Sequence, residues 1–340
     1  MFVRAPAVVT YPSEVPRYFV TGATGFIGSE LAKQLISRGH HVVALVRSAE
    51  TATFLRALGA ELHLGDVTDL ESLWTPMTDV QGVFHVAGWH KFGVRGPDGE
   101  RINVDGTRNV LQAMQETGVT KGVYTSTVAV FGDTRQTLAD ESYFSPGPFL
   151  SEYQRTKWKA HYEVALPRAE AGCPLVIAMP GVVYGPGDRS EVRATLVRLL
   201  AGRLPALATG SHFCWSYVED TARGLIQCME SGRSGESYLL TGPVHPFEDV
   251  MDEAARLAGR RPVLIRLRPG VTRAASAVVA GLEAVGLRGP FASEGLRMLA
   301  GTTWIGSNEK ARRELGFNPR SLEDGLRPTI EHELRLMGRT

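Results

Sequence analysis

Little in the 340 residues is out of balance, and each missing feature removes a class of function. Cysteine is scarce: Cys173, Cys214 and Cys228 are odd in number and far apart. They offer neither a disulfide framework nor a zinc-ligand spacing, a usage that suits a reducing compartment. Excess charge of either sign is absent, with 37 Lys and Arg against 36 Asp and Glu. The net charge of +1 therefore directs the whole chain to neither nucleic acid nor a membrane surface. A long apolar run is missing too. The least polar stretch, 274–287, contains Glu283 and falls short of the roughly 20 residues that span a bilayer. Residues 1–17 carry Pro6, Pro12 and Pro16 and no hydrophobic segment of the secretory kind. The nine histidines show no metal spacing. His40 and His41 are adjacent and cannot share a helix face, and His85 sits in an apolar strand where a packed role is expected. Internal repeats and low-complexity segments are absent. The expectation is a soluble cytoplasmic protein with a loosely ordered lead-in over 1–17 and no bound metal.

What is present is rhythm. Apolar runs begin at Tyr18, Val42, Glu61, Gly82, Gly122 and Pro174, and helical patterns lie between them at 52–58, 70–77 and 104–117. Val42-Val43-Ala44-Leu45-Val46 is apolar throughout, as a strand buried on both faces requires. Strand–helix–strand repetition predicts an α/β fold with a doubly wound parallel sheet. Beyond Pro180 the rhythm breaks. Tyr238-Leu239-Leu240 reads as a returning strand, and helices are expected at 195–200, 247–258, 271–285 and in the tail. A smaller, discontinuous C-terminal lobe should then cover the carboxyl ends of the strands, where such sheets bind ligands. The apolar segment 271–287 would suit a lipid-like or aromatic substrate, but a core helix of the lobe is the preferred reading.

Three clusters carry chemistry. Gly22, Gly25 and Gly28 stand between the first strand and an amphipathic helix carried by Leu31, Leu35 and Ile36. That spacing allows a tight turn, close approach of a pyrophosphate and helix-on-strand packing, with the new helix's free N–H groups favouring phosphate. The same pattern can also be a ligand-free βα turn. Tyr153 and Lys157 are four apart, so a helix places phenol and ammonium on one face. A nearby cation favours phenolate, as an acid/base for an alcohol–carbonyl pair needs; a plain surface Tyr/Lys pair is the competing reading. Thr125-Ser126-Thr127 ends the fifth strand with three hydroxyls. One of them can donate to a substrate oxygen beside Tyr153, although threonine is also ordinary in strands.

In this order the motifs resemble the extended short-chain dehydrogenases/reductases, over roughly residues 18–335. The segment Thr21-Gly22-Ala23-Thr24-Gly25-Phe26-Ile27-Gly28 resembles their nucleotide turn, which implies cofactor contacts from Gly22, Thr24, Gly25, Phe26, Ile27 and Gly28. Gly65-Asp66-Val67 resembles the segment whose Asp66 and Val67 hold adenine. His85-Val86-Ala87-Gly88 resembles the strand-four segment, putting Val86, Ala87 and Gly88 against the cofactor. Asn103 opens their long interface helix. Thr127 aligns with their usual serine, a departure that adds a methyl group, and Ser126 is the fallback if the strand end shifts by one. Pro180-Gly181-Val182-Val183 resembles the nicotinamide-side loop, with Pro180 and Val183 as contacts. The resemblance implies a Rossmann domain over 18–180 and about 217–245, a substrate lobe over about 181–216 and 246–335, catalysis by Thr127, Tyr153 and Lys157, and cofactor contacts from Thr125, Tyr153, Lys157 and Asn103. The family's homodimer would pair the helix after Asn103 with the Tyr153 helix, and Val110, Leu111 and Met114 permit it.

The second strand ends Val46-Arg47-Ser48. An acidic residue there would bind the ribose 2′-hydroxyl of NAD, whereas an arginine accommodates a 2′-phosphate. The expected cofactor is therefore NADP(H), held through Arg47 and Ser48. Within the family, these residues and the strand Tyr124–Thr127 are most similar to the dihydroflavonol-reductase, hydroxysteroid-dehydrogenase and hopanoid-associated epimerase branch. The implied activity is hydride transfer between nicotinamide and a carbonyl/alcohol substrate. A nucleotide-sugar epimerase or dehydratase with retained cofactor is the alternative. His212-Phe213-Cys214-Trp215 lacks the diphosphate-binding arginine expected there, though Arg189, Arg193 or Arg198 could supply one. A non-catalytic NADP sensor stands third.

Overall fold

The computed structural model describes residues 15–91, 93, 96–287 and 292–338. The lead-in expected over 1–17 lies mostly outside them. Seven strands form one sheet: β1 (Arg17–Thr21), β2 (His41–Val46), β3 (Glu61–Leu64), β4 (Gly82–His85), β5 (Gly122–Thr125), β6 (Leu175–Pro180) and, after the smaller strands below, β10 (Ser237–Leu240). Their spatial order is β10-β6-β5-β4-β1-β2-β3, and every pairing is parallel. Parallel strands need long crossovers, and the helices that supply them cover both faces. Alternation along each strand accordingly feeds two cores. Phe19, Val43, Val83 and Tyr124 enter one, and Val20, Ala44, Phe84 and Val123 the other. The expected doubly wound α/β sheet is the observed one, a Rossmann-like architecture.

The chain runs from β1 outward to β3 and then crosses back to β4, so connections leave the β1/β4 boundary in opposite directions. A crevice opens at the carboxyl ends of these two strands. Gly22 makes the close packing there possible. It has φ +73°, and a Cβ on it would lie 2.5 Å from the backbone nitrogen of Ala87. Thr21 closes the joint, its Oγ1 accepting from the Val86 and Ala87 amides at 3.2 Å each.

The second half adds short strands over the sheet's carboxyl edge. β7 (Val182–Tyr184), β9 (His212–Tyr217), β11 (Val244–Pro246) and β13 (Thr303–Trp304) form a small mixed sheet centred on β9, and β8 (Leu207–Ala208) pairs with β12 (Arg266–Leu267). The helices Glu191–Leu200, Phe247–Leu257 and Leu322–Leu336 pack against it. No helix among the described residues is long and apolar enough to cross a membrane.

Two expectations about packing are corrected. Val110, Leu111 and Met114 of the Gly106–Glu116 helix are buried within the chain's own core, so they form no face for a second copy. The helix predicted over 271–285 exists as Pro269–Ala284, yet its buried residues are Thr272 and Ser276, while Val271, Val278 and Leu282 are exposed. It is not the core helix its composition suggested. Hydrophobic content argues for burial, but which face turns inward is decided by the neighbour, and here the neighbour offers polar partners.

Gly28 yields a direct test of the crevice packing. A Cβ there would fall 2.1 Å from the Gly22 carbonyl oxygen, a contact no rotamer can relieve. Gly28→Ala should destabilise the protein by about 1–3 kcal/mol, read as a lowered midpoint in thermal unfolding; an unchanged midpoint would mean the turn is looser than described.

Candidate active site

The helix Phe26–Ser37 starts at the crevice with Gly25 in the N-cap position. No side chain caps it and no acidic residue stands in its first turn, so its leading N–H groups remain available to an anion. A Cβ at Gly25 would press on the Gly22 carbonyl at 3.1 Å, which keeps the approach to this end low and open. Beside it lies a cleft of about 290 Å³ lined by Thr24, Gly25, Phe26, Ser29, Glu30, Phe54, Pro186, Gly187, Arg189 and Val218. One wall is therefore the glycine turn, and the other is the loop after β7. Arg189 was not expected among the cofactor residues; only the folding-back of that loop brings it here.

The second half of the site is built where β5 ends. Thr127, with extended backbone, caps the short turn Val128–Phe131 through a bond from the Ala129 amide to its Oγ1. The helix Glu152–Lys159 begins at Ser151, whose Oγ accepts from the Gln154 amide at 3.1 Å. Gln154 then ties the two pieces together. Its Nε2 donates to the Ala129 carbonyl at 2.9 Å, and its Oε1 accepts from the Leu150 amide at 2.6 Å. Across this joint the Thr127 hydroxyl faces the Tyr153 phenol. Ser126, the fallback, is directed elsewhere: its Oγ meets Nδ1 of buried His161 at 2.8 Å.

Lys157 is buried without a carboxylate. Its Nζ donates to the Tyr124 hydroxyl at 2.9 Å and the Thr125 carbonyl at 2.8 Å, and lies 4.5 Å from the centre of the Tyr124 ring. Desolvation lowers its pKa to about 7. The Tyr153 phenol, in contrast, is pushed up to about 12 by desolvation, with the Thr127 hydroxyl opposing. The expected depression of Tyr153 by Lys157 is thus not what this geometry produces. Sharing a helix face brings the two side chains together, but the long lysine stem carries its charge down to β5.

Tyr124 belongs to a buried polar line that sequence reasoning missed. Thr21 Oγ1 meets His85 Nδ1 at 2.8 Å, His85 Nε2 meets Thr107 Oγ1 at 3.0 Å, and the His85 ring stacks at 5.5 Å on that of Tyr124, whose hydroxyl meets Lys157. Burial first, and then the Lys157 charge, lower the His85 pKa to about 3, so its imidazole is neutral. The packed role expected of His85 is the observed one. His90, also unforeseen, stands edge-on to Tyr153 with ring centres 4.4 Å apart.

The other expected contacts take these places. Arg47 is exposed at the end of β2 and makes no hydrogen bond or ion pair with any described residue, while the Ser48 carbonyl accepts from Thr51 Oγ1. Asp66 Oδ1 caps its own turn, accepting from the Thr68 amide and hydroxyl at 2.9 Å each, and Val67 is buried under Gly106. Val86, Ala87 and Gly88 line the exit of β4. Asn103 is fully engaged: Nδ2 donates to the Trp89 carbonyl and Thr156 Oγ1, and Oδ1 accepts from the Trp89 amide. It fastens the segment after β4 to the Tyr153 helix. Thr125 Oγ1 is buried with no partner. Pro180 ends β6, and Val183, in β7, is partly exposed. The glycine cradle, the uncapped helix end and the orphaned Thr125 hydroxyl together fit a dinucleotide. Among the described residues, no group of His, Cys, Asp or Glu could hold a metal ion.

A doubly wound sheet with a dinucleotide cradle at its switch point and a Tyr/Lys helix at the end of β5 defines a nicotinamide-dependent oxidoreductase. The chain belongs to the NAD dependent epimerase/dehydratase family, whose model matches residues 18–240. It is 35% identical over 235 residues, 66% of this chain and 67% of the relative, to a Synechocystis protein whose name proposes a dihydroflavonol 4-reductase. It is 29% identical over 316 residues to sterol demethylase protein B of Methylococcus capsulatus, covering 89% of this chain and 93% of that one. Among solved structures, that of gox2253 matches with a TM-score of 0.80 at 30% identity, over 95% of this chain and 99% of that one. A dTDP-glucose 4,6-dehydratase from Streptomyces venezuelae, solved with NAD, shares the fold at 23% identity and a TM-score of 0.76, over 95% of this chain and 98% of that one.

Lys157 makes stability depend on pH in a defined direction. Between about pH 7 and its ordinary value of 10.5, the unfolded chain holds a proton on this group that the folded chain has lost. Stability from this group therefore rises with pH across that window. In unfolding titrations, Lys157→Met should flatten that rise in the cofactor-free protein; an unaltered slope would place the ammonium in water.

Proposed function

We propose that the protein is an NADP-dependent oxidoreductase interconverting a carbonyl and an alcohol, with Tyr153 as proton donor or acceptor. The observation that carries this reading is that the Gln154 bond to the Ala129 carbonyl brings Thr127, at the end of β5, together with Tyr153, beside an open glycine cradle. Bound nicotinamide would supply the hydride chemistry. Thr127 would orient the substrate oxygen, and Tyr153 would exchange its proton. The site residues named from the sequence, with the addition of Arg189, would form the binding surface, and the C-terminal lobe would take the substrate. Asn103 and Gln154 act as positioning residues in this reading, since their amides join the elements that carry the site.

Preference for the phosphorylated cofactor rests on Arg47. It stands exposed and unpaired at the ribose-binding end of β2, where Val46 replaces an acidic residue. The nucleotide-sugar alternative finds less support. Arg193 is committed to buried Glu333 through bonds of 2.7 and 2.9 Å, and Arg189 lines the cofactor cleft. A cytoplasmic homodimer, pairing the helix after Asn103 with the Tyr153 helix, remains part of the proposal on the resemblance alone.

Two measurements test this reading. Tyr153→Phe should lower turnover of NADPH with a ketone panel by about 10²–10⁴-fold while leaving cofactor binding intact. Unchanged turnover would remove Tyr153 from the chemistry, and tightly retained cofactor without net consumption would favour the epimerase. A charge-assisted hydrogen bond contributes about 1.5–3 kcal/mol. Arg47→Ala should therefore weaken NADPH binding by roughly 10- to 150-fold and leave NADH nearly unaffected; equal affinities for the two cofactors in the unaltered protein would refute the preference.

A further inference from the structure

The Pro269–Ala284 helix is inverted relative to an ordinary surface helix. Its buried face is polar: Thr272 and Ser276 are 0% and 2% exposed, and Ser276 Oγ donates to the Ser293 carbonyl at 3.1 Å. Its outward stripe is aliphatic. Val271, Val278 and Leu282 are 55%, 65% and 46% exposed, and their spacing of seven and four puts them on one side of the helix. Val285, just beyond the helix, continues that line at 73%. Leu264 and Ile265, on the segment leading into the helix, are 88% and 60% exposed. Exposed aliphatic groups concentrated on one element mark a contact surface rather than scattered surface residues.

Charge is concentrated in the same place. Residues 259–282 contain Arg260, Arg261, Arg266, Arg268 and Arg273 and no acidic residue, in a chain whose net charge is +1. Arg266 pairs with Asp252, and Arg273 donates to the Ala300 carbonyl. Arg260, Arg261 and Arg268 are exposed and form no ion pair with any described residue. Unpaired arginines beside an outward aliphatic stripe are what an anionic bilayer surface receives: side chains enter the acyl boundary, and guanidinium groups meet lipid phosphates. A second copy of this chain fits the patch less well. It would add five further arginines to the contact, and the helix's one carboxylate, Glu283, is already bonded to the Ser293 amide and hydroxyl.

We propose that the Pro269–Ala284 helix and the arginine-bearing segment before it dock the protein peripherally on anionic phospholipid membranes. The docking element is joined to the candidate site. Glu283 and Ser276 hold Ser293, and the next residue, Glu294, accepts from the amides of Gly93 and Glu152 at 2.8 and 3.3 Å. Gly93 lies three residues beyond His90, and Glu152 immediately precedes Tyr153. A membrane bound at this helix would therefore lie near the entrance to the site; if the oxidoreductase reading holds, an apolar substrate could enter from the lipid.

Co-sedimentation with phosphatidylcholine vesicles, with and without phosphatidylglycerol, tests the docking without relying on activity. The full-length protein should sediment only with vesicles containing phosphatidylglycerol, and added salt should release it. Removing the three unpaired guanidinium groups in Arg260→Ala/Arg261→Ala/Arg268→Ala should weaken binding by roughly 100-fold, about fivefold per arginine. Val278→Glu/Leu282→Glu should abolish binding. All these side chains are exposed, so both variants should retain the wild-type melting curve. Failure of the unaltered protein to bind anionic vesicles overturns the proposal, as does binding that neither variant weakens. A variant that altered only self-association in sedimentation velocity would instead make this face a contact between copies.

Discussion

The site is organised around a buried line of hydrogen-bonded and stacked side chains running from the end of β1 to the Tyr153 helix. Thr21 bonds His85 and His85 bonds Thr107, while the His85 ring stacks on Tyr124 at 5.5 Å and Tyr124 bonds Lys157, across three strands and two helices. Burial makes each member depend on its neighbours, because an unpaired polar group in this core would pay its full desolvation cost. The line keeps the glycine turn, the exit of β4 and the end of β5 in register. It also sets the protonation of its members: His85 is neutral beside Lys157, and Lys157 loses its proton more readily than a lysine in water.

Around that line the backbone supplies the binding surface and side chains supply the joints. Gly22 lets two chain segments approach more closely than any Cβ would allow. Gln154 and Asn103 then stitch the Tyr153 helix to the ends of β5 and β4 respectively. The hydroxyl pair Thr127–Tyr153 is consequently held from both sides. Thr127 itself sits at the start of a turn, in extended backbone, with its Oγ1 accepting from the Ala129 amide.

The lobe beyond β6 follows a different logic. The balanced composition of the chain conceals a strongly basic stretch over 259–282. Composition averages over the chain, whereas recognition acts through what lies within a Debye length of a surface. Arg189 makes the same point. A loop residue by sequence, it lines the cleft beside the glycine turn because the segment after β7 folds back over the first helix.

Periodicity and glycine spacing were sufficient for the sheet, its parallel order and the cradle at its switch point, because period and turn chemistry are local properties of the chain. The same local signals marked Tyr153 and Lys157 as neighbours on one helix face. They could not show that Lys157 reaches Tyr124, that Ser126 is held by His161, or that Asn103 is wholly engaged in fastening two elements. Those partners lie 14 to 53 residues apart. Nor could amphipathic pattern alone show that the Pro269–Ala284 helix turns Thr272 and Ser276 inward. Which face of a helix is buried, and which of several hydroxyls is free, depends on side chains delivered by distant segments, and only tertiary packing brings those together.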